Sequence, residues 1–451
     1  MKTLSPNLEI RPATASVNSA GHLTIGGCDT VALAKEFGTP LWIMDEESIV
    51  QAMRACIAGL RGYPQTKIFY AGKAFLCQAM CKLIDRHGLH LDVVSGGELF
   101  TALSAGFPAN KIFMHGNNKS AEEIHDAIKA NGVTIVVDNH SELELIIRIN
   151  RKLLANKQSA SKVPILLRLT PGVEADTHQH IQTGHHDSKF GFALEELASI
   201  TEIVKEGADA VDLIGLHAHI GSQTHKIEPY LEIVDILADC FVTFKEKHGL
   251  TLSLLDVGGG LGIAYNDQDK PLAMDVWTQS IAQRVKSSFT RRGLELPILA
   301  VEPGRSIVGT AGTTLYTAGH AKSLPSGLNY LAVDGGMADN PRPITYQALY
   351  TACLANRANA PRATNPLTLV GKYCESGDII IKETYMPAQT GDIVAVFGTG
   401  AYNYSMASNY NRTRRPACVL VKEGKADVII ERESVENLIQ QDRVPARFLT
   451  D

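Results

Sequence analysis

The 451-residue chain is 45% hydrophobic and 20% charged, with a formal net charge of −5. That length exceeds one ordinary core and predicts two domains. The mild negative charge and the lack of a long Lys/Arg run argue against nucleic acid or an anionic membrane as partner.

The N-terminal stretch MKTLSPNLEIRPATASVNSAG has no continuous apolar core of the secretion-signal type, and no segment approaches the roughly 20 apolar residues of a spanning helix. Eight scattered cysteines suit reduced thiols, so a cytoplasmic protein is expected. The first 40 residues carry LTIGG and few helical signals, and are expected to pack with a later β-rich domain.

From residue 67 to about 305 the chain alternates between short apolar runs and longer amphipathic stretches. The strand candidates are KIFYAGK (67–73), LHLDVV (89–94), KIFMHG (111–116), VTIVVDN (133–139), PILLRLT (164–170), LIGLHAHIG (213–221), LSLLDVGGG (252–260) and ILAVEPGR (298–305). Segments such as SAEEIHDAIKANG and EPYLEIVDILADCFVTFKEKHG lie between them, with helical spacing and a closing glycine. Eight such units predict an α/β fold, a closed (β/α)8 barrel of the TIM type. Cys77 and Cys81 lie one helical turn apart and are expected to be core residues rather than a metal or redox pair.

After about residue 310 the long helices stop. LTLVGKYC, DIIIKETYM, DIVAVFGT and ACVLVKEGKADVIIERES are short strand candidates separated by turns, a second domain of barrel or sandwich type. The expected division is 1–40 as an N-terminal segment of the β domain, 41–308 as the barrel, and 309–451 as the C-terminal β domain.

Polar residues cluster at one end of the eight strands. Lys73 closes the first, Ser95-Gly96-Gly97-Glu98 follows the second, His115 ends the third, Asp138 the fourth and Arg168 the fifth. His217 and His219 end the sixth, Gly258-Gly259-Gly260 the seventh, and Glu302-Pro303-Gly304-Arg305 the eighth. In a (β/α)8 barrel these ends build the active site. The glycine run alone serves a tight turn as well as an anion cradle; with Arg305 on the next strand, a phosphate site is favoured. No GxxxxGK[ST] is present, so a nucleotide P-loop is not indicated. A lysine, a phosphate cradle and a carboxylate one strand away point to pyridoxal 5'-phosphate. Lys73 would form a Schiff base with the aldehyde, Glu302 would pair with the pyridine nitrogen, and His219 could stack on the ring.

From about residue 40 to 415 the chain resembles the fold type III PLP-dependent decarboxylases, most closely their diaminopimelate branch. The resemblance is carried by YAGKAF, HGNNKS (115–120), PGVEADTHQHIQTGHHDSKFGF (171–192), GLHAHIGSQ (215–223), DVGGGLGI (256–263), EPGRSIV (302–308), CESGD (374–378) and GAYNYSMASNYN (400–411). It implies a cofactor site of Lys73, His219, Ser222, Gly258, Gly259, Gly260, Glu302, Pro303, Gly304, Arg305 and Tyr402. It implies Cys374 as the acid that protonates the carbanion, and Glu375 as the partner of a distal ammonium. Arg305, Arg342 and Tyr346 would bind a distal carboxylate, with Tyr402 touching substrate as well. It also implies a homodimer in which second-domain residues complete the partner's barrel. The implied reaction turns meso-2,6-diaminopimelate into L-lysine and CO2.

Three positions depart from the family pattern: Phe75 for an expected asparagine, Gln347 for a glycine, and Ala218 where cysteine is common. A related decarboxylase of ornithine, arginine, lysine or a D-amino acid is the alternative, and a binding protein on an inactivated enzyme is a third reading. The histidine-rich run His178, His180, His185, His186 with Asp187 could tempt a metal assignment, but no cysteine lies nearby and the run matches the family's loop over the active site. No metal is expected.

Overall fold

The computed structural model describes residues 5–159, 161–173 and 188–449. The chain forms two compact units, Met1–Glu9 with Ile49–Gly309, and Ile10–Ser48 with Thr310–Asp451.

The first unit is the closed barrel. Its strands are β1 (Thr66–Ala71), β2 (His90–Val93), β3 (Ile112–Met114), β4 (Thr134–Val137), β5 (Val163–Arg168), β6 (Val211–His217), β7 (Leu254–Asp256) and β8 (Ile298–Val301). Every neighbouring pair is parallel, and β8 closes on β1 with Leu299 opposite Thr66. All eight coincide with the runs read from sequence. The strands are largely apolar because one face meets the helices and the other fills the barrel, with charges such as Asp92 and Asp256 lying toward their C-terminal ends. Phe69, Phe113, Val136, Leu166, Leu254 and Ala300 form that inner plug, with the rings of Phe69 and Phe113 stacked at 3.7 Å. The interior is therefore solid, and chemistry is confined to the loops at the strand ends.

The connecting helices begin where side chains can take the free N–H groups. Ser95, Ser120 and Asn139 each cap the helix that follows, and Ser120 forms a reciprocal capping box with Glu123. The 21-residue helix Glu228–His248 ends on Gly249 at φ 68°, the left-handed stop expected of its closing glycine. Cys77 and Cys81 are both buried, as core residues.

In the second unit, strand Leu41–Asp45 lies between Gly312–Ser323, antiparallel, and Ala417–Lys422, parallel. Ile393–Phe397 and Asn329–Val333 also pair with Gly312–Ser323. Leu23 and Ile25 of the LTIGG stretch join Leu41, Ile43, Leu315, Phe397 and Val419 in one core. The division differs from the sequence expectation at two places. Residues 41–48 belong to the β-rich unit, because LWIMD is buried at all five positions and is paired on both edges. Residues 5–9 belong with the barrel, where Asn7 donates to the carbonyls of Gly262 at 3.1 Å and Leu272 at 2.8 Å.

Candidate active site

The barrel ends gather a dense set of buried charges. Past β1 the chain enters a short turn, Gly72–Ala74, that holds Lys73 half-buried. The turn is closed by Tyr70, whose hydroxyl donates to the carbonyl of Phe75 at 2.6 Å. Phe75 itself is buried, so the departure at this position fills core space while its backbone keeps the turn.

Glu302, just beyond β8, is 5% exposed and sits between two imidazoles. His115 Nε2 is 2.7 Å from Oε1, and His217 Nε2 is 3.2 Å from Oε2. Asp92 of β2 and Asp256 of β7 are buried in the same cluster. Three carboxylates this close cannot all ionise, and the structure resolves the competition unevenly. Burial alone would push Glu302 up, but His115 and His217 outweigh it and hold it well below the carboxylate range. Burial, with the charge of Glu302 beside it, drives Asp256 well above that range. Burial also raises Asp92, against the pull of His115. The charge in this cluster is thus favoured on Glu302 and disfavoured on Asp256 and Asp92.

Burial lowers His219 well below the ordinary range, and the nearby charges of Lys73 and Arg168 push the same way. Its Nδ1 accepts the N–H of Gly259 at 3.2 Å, which puts the single proton of the neutral ring on Nε2. Burial likewise pushes His217 down to about 4. Between pH 6.5 and 4 the unfolded chain takes up a proton that folded His217 refuses, so stability falls as pH drops through that window, by about 1.4 kcal/mol per unit. His217→Gln should flatten this slope in urea melts between pH 7 and 4.5. Parallel curves for the two proteins would refute it.

Arg305 is buried at the start of the short helix Arg305–Val308. Its guanidinium donates to Ser222 Oγ at 2.9 Å and to the Tyr265 hydroxyl at 2.6 Å. The glycine run has a tighter role than its composition alone indicates. A Cβ at Gly258, Gly259 or Gly260 would lie 2.6, 1.9 or 2.1 Å from the carbonyl oxygens of Ala218, Glu302 and Gly221. The loops after β6, β7 and β8 thus pass backbone against backbone, which brings Ser222, Glu302 and Arg305 to one place. Two of the three N–H groups act inside this contact, Gly258 on Asp256 and Gly259 on His219.

The expected second-unit residues lie on separate loops. Cys374 and Glu375 are exposed, and Cys374 is the one exposed thiol of eight. Arg342 is buried in the short helix Arg342–Tyr346 and donates to the Tyr350 hydroxyl at 2.8 Å. Tyr402 has φ 64°, an unusual conformation for a ring-bearing residue and one that concentrates at functional sites. Gln347 caps the Arg342 helix at φ 53°, which explains why glycine suits that position. Its side chain is exposed, so Gln347→Gly should relieve left-handed strain and raise the unfolding free energy by about 1 kcal/mol. A chemical melt decides this, and a loss of stability would mean that the glutamine makes contacts worth more than the strain.

The sequence reading placed His115 and His217 at strand ends without giving them a task, and it passed over Asp92, Asp256 and Tyr265. The signal was present for the two aspartates, since each is a charge inside an otherwise apolar strand run. His115, His217 and Glu302 could together hold a cation, yet their pairing accounts for them without one. The His178–Asp187 cluster lies outside the described residues.

An ionised carboxylate, a neutral imidazole, an Arg–Ser–Tyr pocket and a half-buried lysine suit a flat cationic heteroaromatic with an anionic tail, as pyridoxal phosphate is. Residues 47–309 match the family model described as the pyridoxal binding domain of pyridoxal-dependent decarboxylases. The chain is 46% identical to the diaminopimelate decarboxylase of Synechocystis sp., over 99% of this chain and 95% of the relative. It is 42% identical to that of Bacillus subtilis, over 95% and 97%. The crystal structure of diaminopimelate decarboxylase from M. jannaschii in co-complex with L-lysine superposes with a TM-score of 0.87 at 32% identity, covering 97% of this chain and 99% of that one. The chain belongs to the pyridoxal-dependent decarboxylases and, among them, to the diaminopimelate decarboxylase family. It is a PLP-dependent carboxy-lyase.

Proposed function

We propose that the protein decarboxylates meso-2,6-diaminopimelate to L-lysine and CO2, the last step of lysine biosynthesis, and does so in the cytoplasm as a homodimer with shared sites. The observation that carries the chemistry is the buried carboxylate of Glu302, held between the imidazoles of His115 and His217 at the strand ends that also carry Lys73, His219 and Arg305. Bound pyridoxal phosphate supplies an electron sink for the pair left when the Cα–carboxylate bond breaks.

The remaining work falls to the chain. Lys73 would hold the aldehyde end of the cofactor through Nζ. Glu302, clamped by His115 and His217, would pair with the pyridine nitrogen. His219 would lie beside the ring, and Arg305 with Ser222 and the loop of Gly258 to Gly260 would hold the phosphate. Pro303 and Gly304 carry the chain from Glu302 to Arg305. Cys374 delivers a proton from Sγ to Cα after CO2 leaves and is left as a thiolate. Arg342 and Tyr346 take the distal carboxylate, Glu375 takes the distal ammonium, and Tyr402 lies along the substrate. No helix among the described residues is long and apolar enough to cross a membrane, which fits this placement.

The deciding experiment is CO2 release and lysine formation from diaminopimelate beside ornithine, arginine, lysine and D-amino acids. Release from the monocarboxylates alone would overturn the substrate. Shared sites are tested by mixing Lys73→Ala and Cys374→Ala chains: hybrids regain activity only if one site draws on two subunits.

A further inference from the structure

The block GAYNYSMASNYN is among the most specific stretches of the chain, yet the proposed chemistry uses only its Tyr402. Its last two residues, Tyr410 and Asn411, fall in a one-turn segment where Asn411 has φ 53° and ψ 25°. Asn411 Oδ1 accepts the backbone N–H of Cys374 at 3.1 Å, and the Tyr410 hydroxyl makes a long bond of 3.5 Å to the carbonyl of Cys374. Two consecutive side chains therefore take up both backbone polar groups of the cysteine.

The segment that does this is itself held. Asn409 Nδ2 donates to Thr413 O at 3.0 Å and to Glu433 Oε2 at 2.5 Å, and Arg412 pairs with Asp442 at 3.0 Å. On the other flank, the loop that carries Cys374 folds around Asp378. One oxygen of Asp378 accepts the N–H of Met337 at 2.6 Å and the other that of Tyr373 at 3.0 Å, while its own N–H donates to Glu375 O at 3.0 Å. A Cβ on Gly371 would lie 2.0 Å from Asp378 Oδ2, so the backbone there packs directly against this carboxylate. Cys374 stands exposed between two fixed anchors.

We propose that Asn411 is a positioning residue for Cys374, fixing the cysteine's peptide so that its thiol stands at one place when it delivers the proton. The proposal rests on the reading of Cys374 as that donor. Asparagine suits the task on two counts. It tolerates the left-handed conformation, and it offers an acceptor that glycine lacks. Aspartate shares both properties, and alanine has neither.

The test compares Asn411→Ala, Asn411→Gly, Asn411→Asp and Cys374→Ala in the cofactor-loaded enzyme. Three quantities are read: kcat, KM for diaminopimelate, and the rate at which iodoacetamide alkylates Cys374, mapped by mass spectrometry. Alanine and glycine are expected to lower kcat roughly 5- to 10-fold, the scale of one hydrogen bond, with KM nearly unchanged. Cys374 should alkylate faster in both, while the seven buried cysteines stay unlabelled, which separates a loosened loop from general unfolding. Asn411→Asp should recover most of kcat. Wild-type kcat and alkylation in Asn411→Gly would overturn the proposal, because the acceptor would then do nothing. Equal losses in all three Asn411 variants would overturn it too, leaving the segment a scaffold only. Wild-type turnover in Cys374→Ala would instead sink the proton-donor reading, whatever Asn411 does.

Discussion

Lys73→Ala should lower turnover by at least about 10³-fold, since it removes both the covalent partner of the cofactor and an amine able to move protons at the reacting carbon. The purified variant should lack the near-visible absorbance of a lysine-bound pyridoxal group. The fold should survive. Lys73 is half-buried on a short turn, so alanine removes a charge rather than a core side chain. Its loss would also be felt by its neighbours. The Lys73 charge lowers Asp92, Glu98 and His219 alike. Glu98, already pushed up to about 7 by burial, should rise further without it. A variant that folds, keeps the absorbance and turns over at the wild-type rate would remove Lys73 from the mechanism.

Arg342→Met should cut kcat/KM for diaminopimelate by about 10²- to 10³-fold, the effect of leaving a buried carboxylate without its charged partner. Arg342 is 5% exposed as a residue, so a group that pairs with it is partly shielded from water and interacts more strongly than at the surface. Methionine keeps the volume and the apolar stem but offers no donor. Lysine is not a gentle alternative, because a single ammonium cannot reproduce the fork that reaches Tyr350. The informative comparison is with L-lysine, which lacks the distal carboxylate and is tested as a competitive ligand, whose inhibition constant should change little. If diaminopimelate turnover and lysine binding suffered equally, Arg342 would be a structural pin for its short helix and not the reader of the distal carboxylate.

The barrel was legible because its strands are buried on both faces. Each reads as a mostly apolar run that ends in a residue the core cannot hold, such as Lys73, His115, Arg168 or Glu302. Strand Gly312–Ser323 was not legible. GTTLYTAGHAKS mixes glycine, threonine and lysine, because its sheet partners change along its length. Strand Leu41–Asp45 was misplaced for the opposite reason. Its apolar run looks like a barrel strand, and only pairing with residues some 270 and 370 positions later assigns it elsewhere. In the site, single groups could be read from strand ends, while their electrostatics could not. That Glu302 carries the charge and Asp256 gives it up depends on two histidines from other strands, and such distances are set by barrel closure. The asparagine that holds Cys374 was hidden in the same way, within a motif recognised but not understood.

The position of Leu41–Asp45 also has a consequence during synthesis. This strand leaves the ribosome early, but both of its sheet partners come after the whole barrel. At about 5–20 residues per second, it waits on the order of tens of seconds with both edges unpaired. LWIMD is short, apolar and prone to pair, which is the profile of a segment that sticks to other nascent chains. The barrel can close while the β-rich unit is still missing its centre. Slow or interrupted translation beyond residue 309 should therefore favour aggregates seeded by residues 41–45, and a charge placed in that strand should suppress them while blocking the final fold.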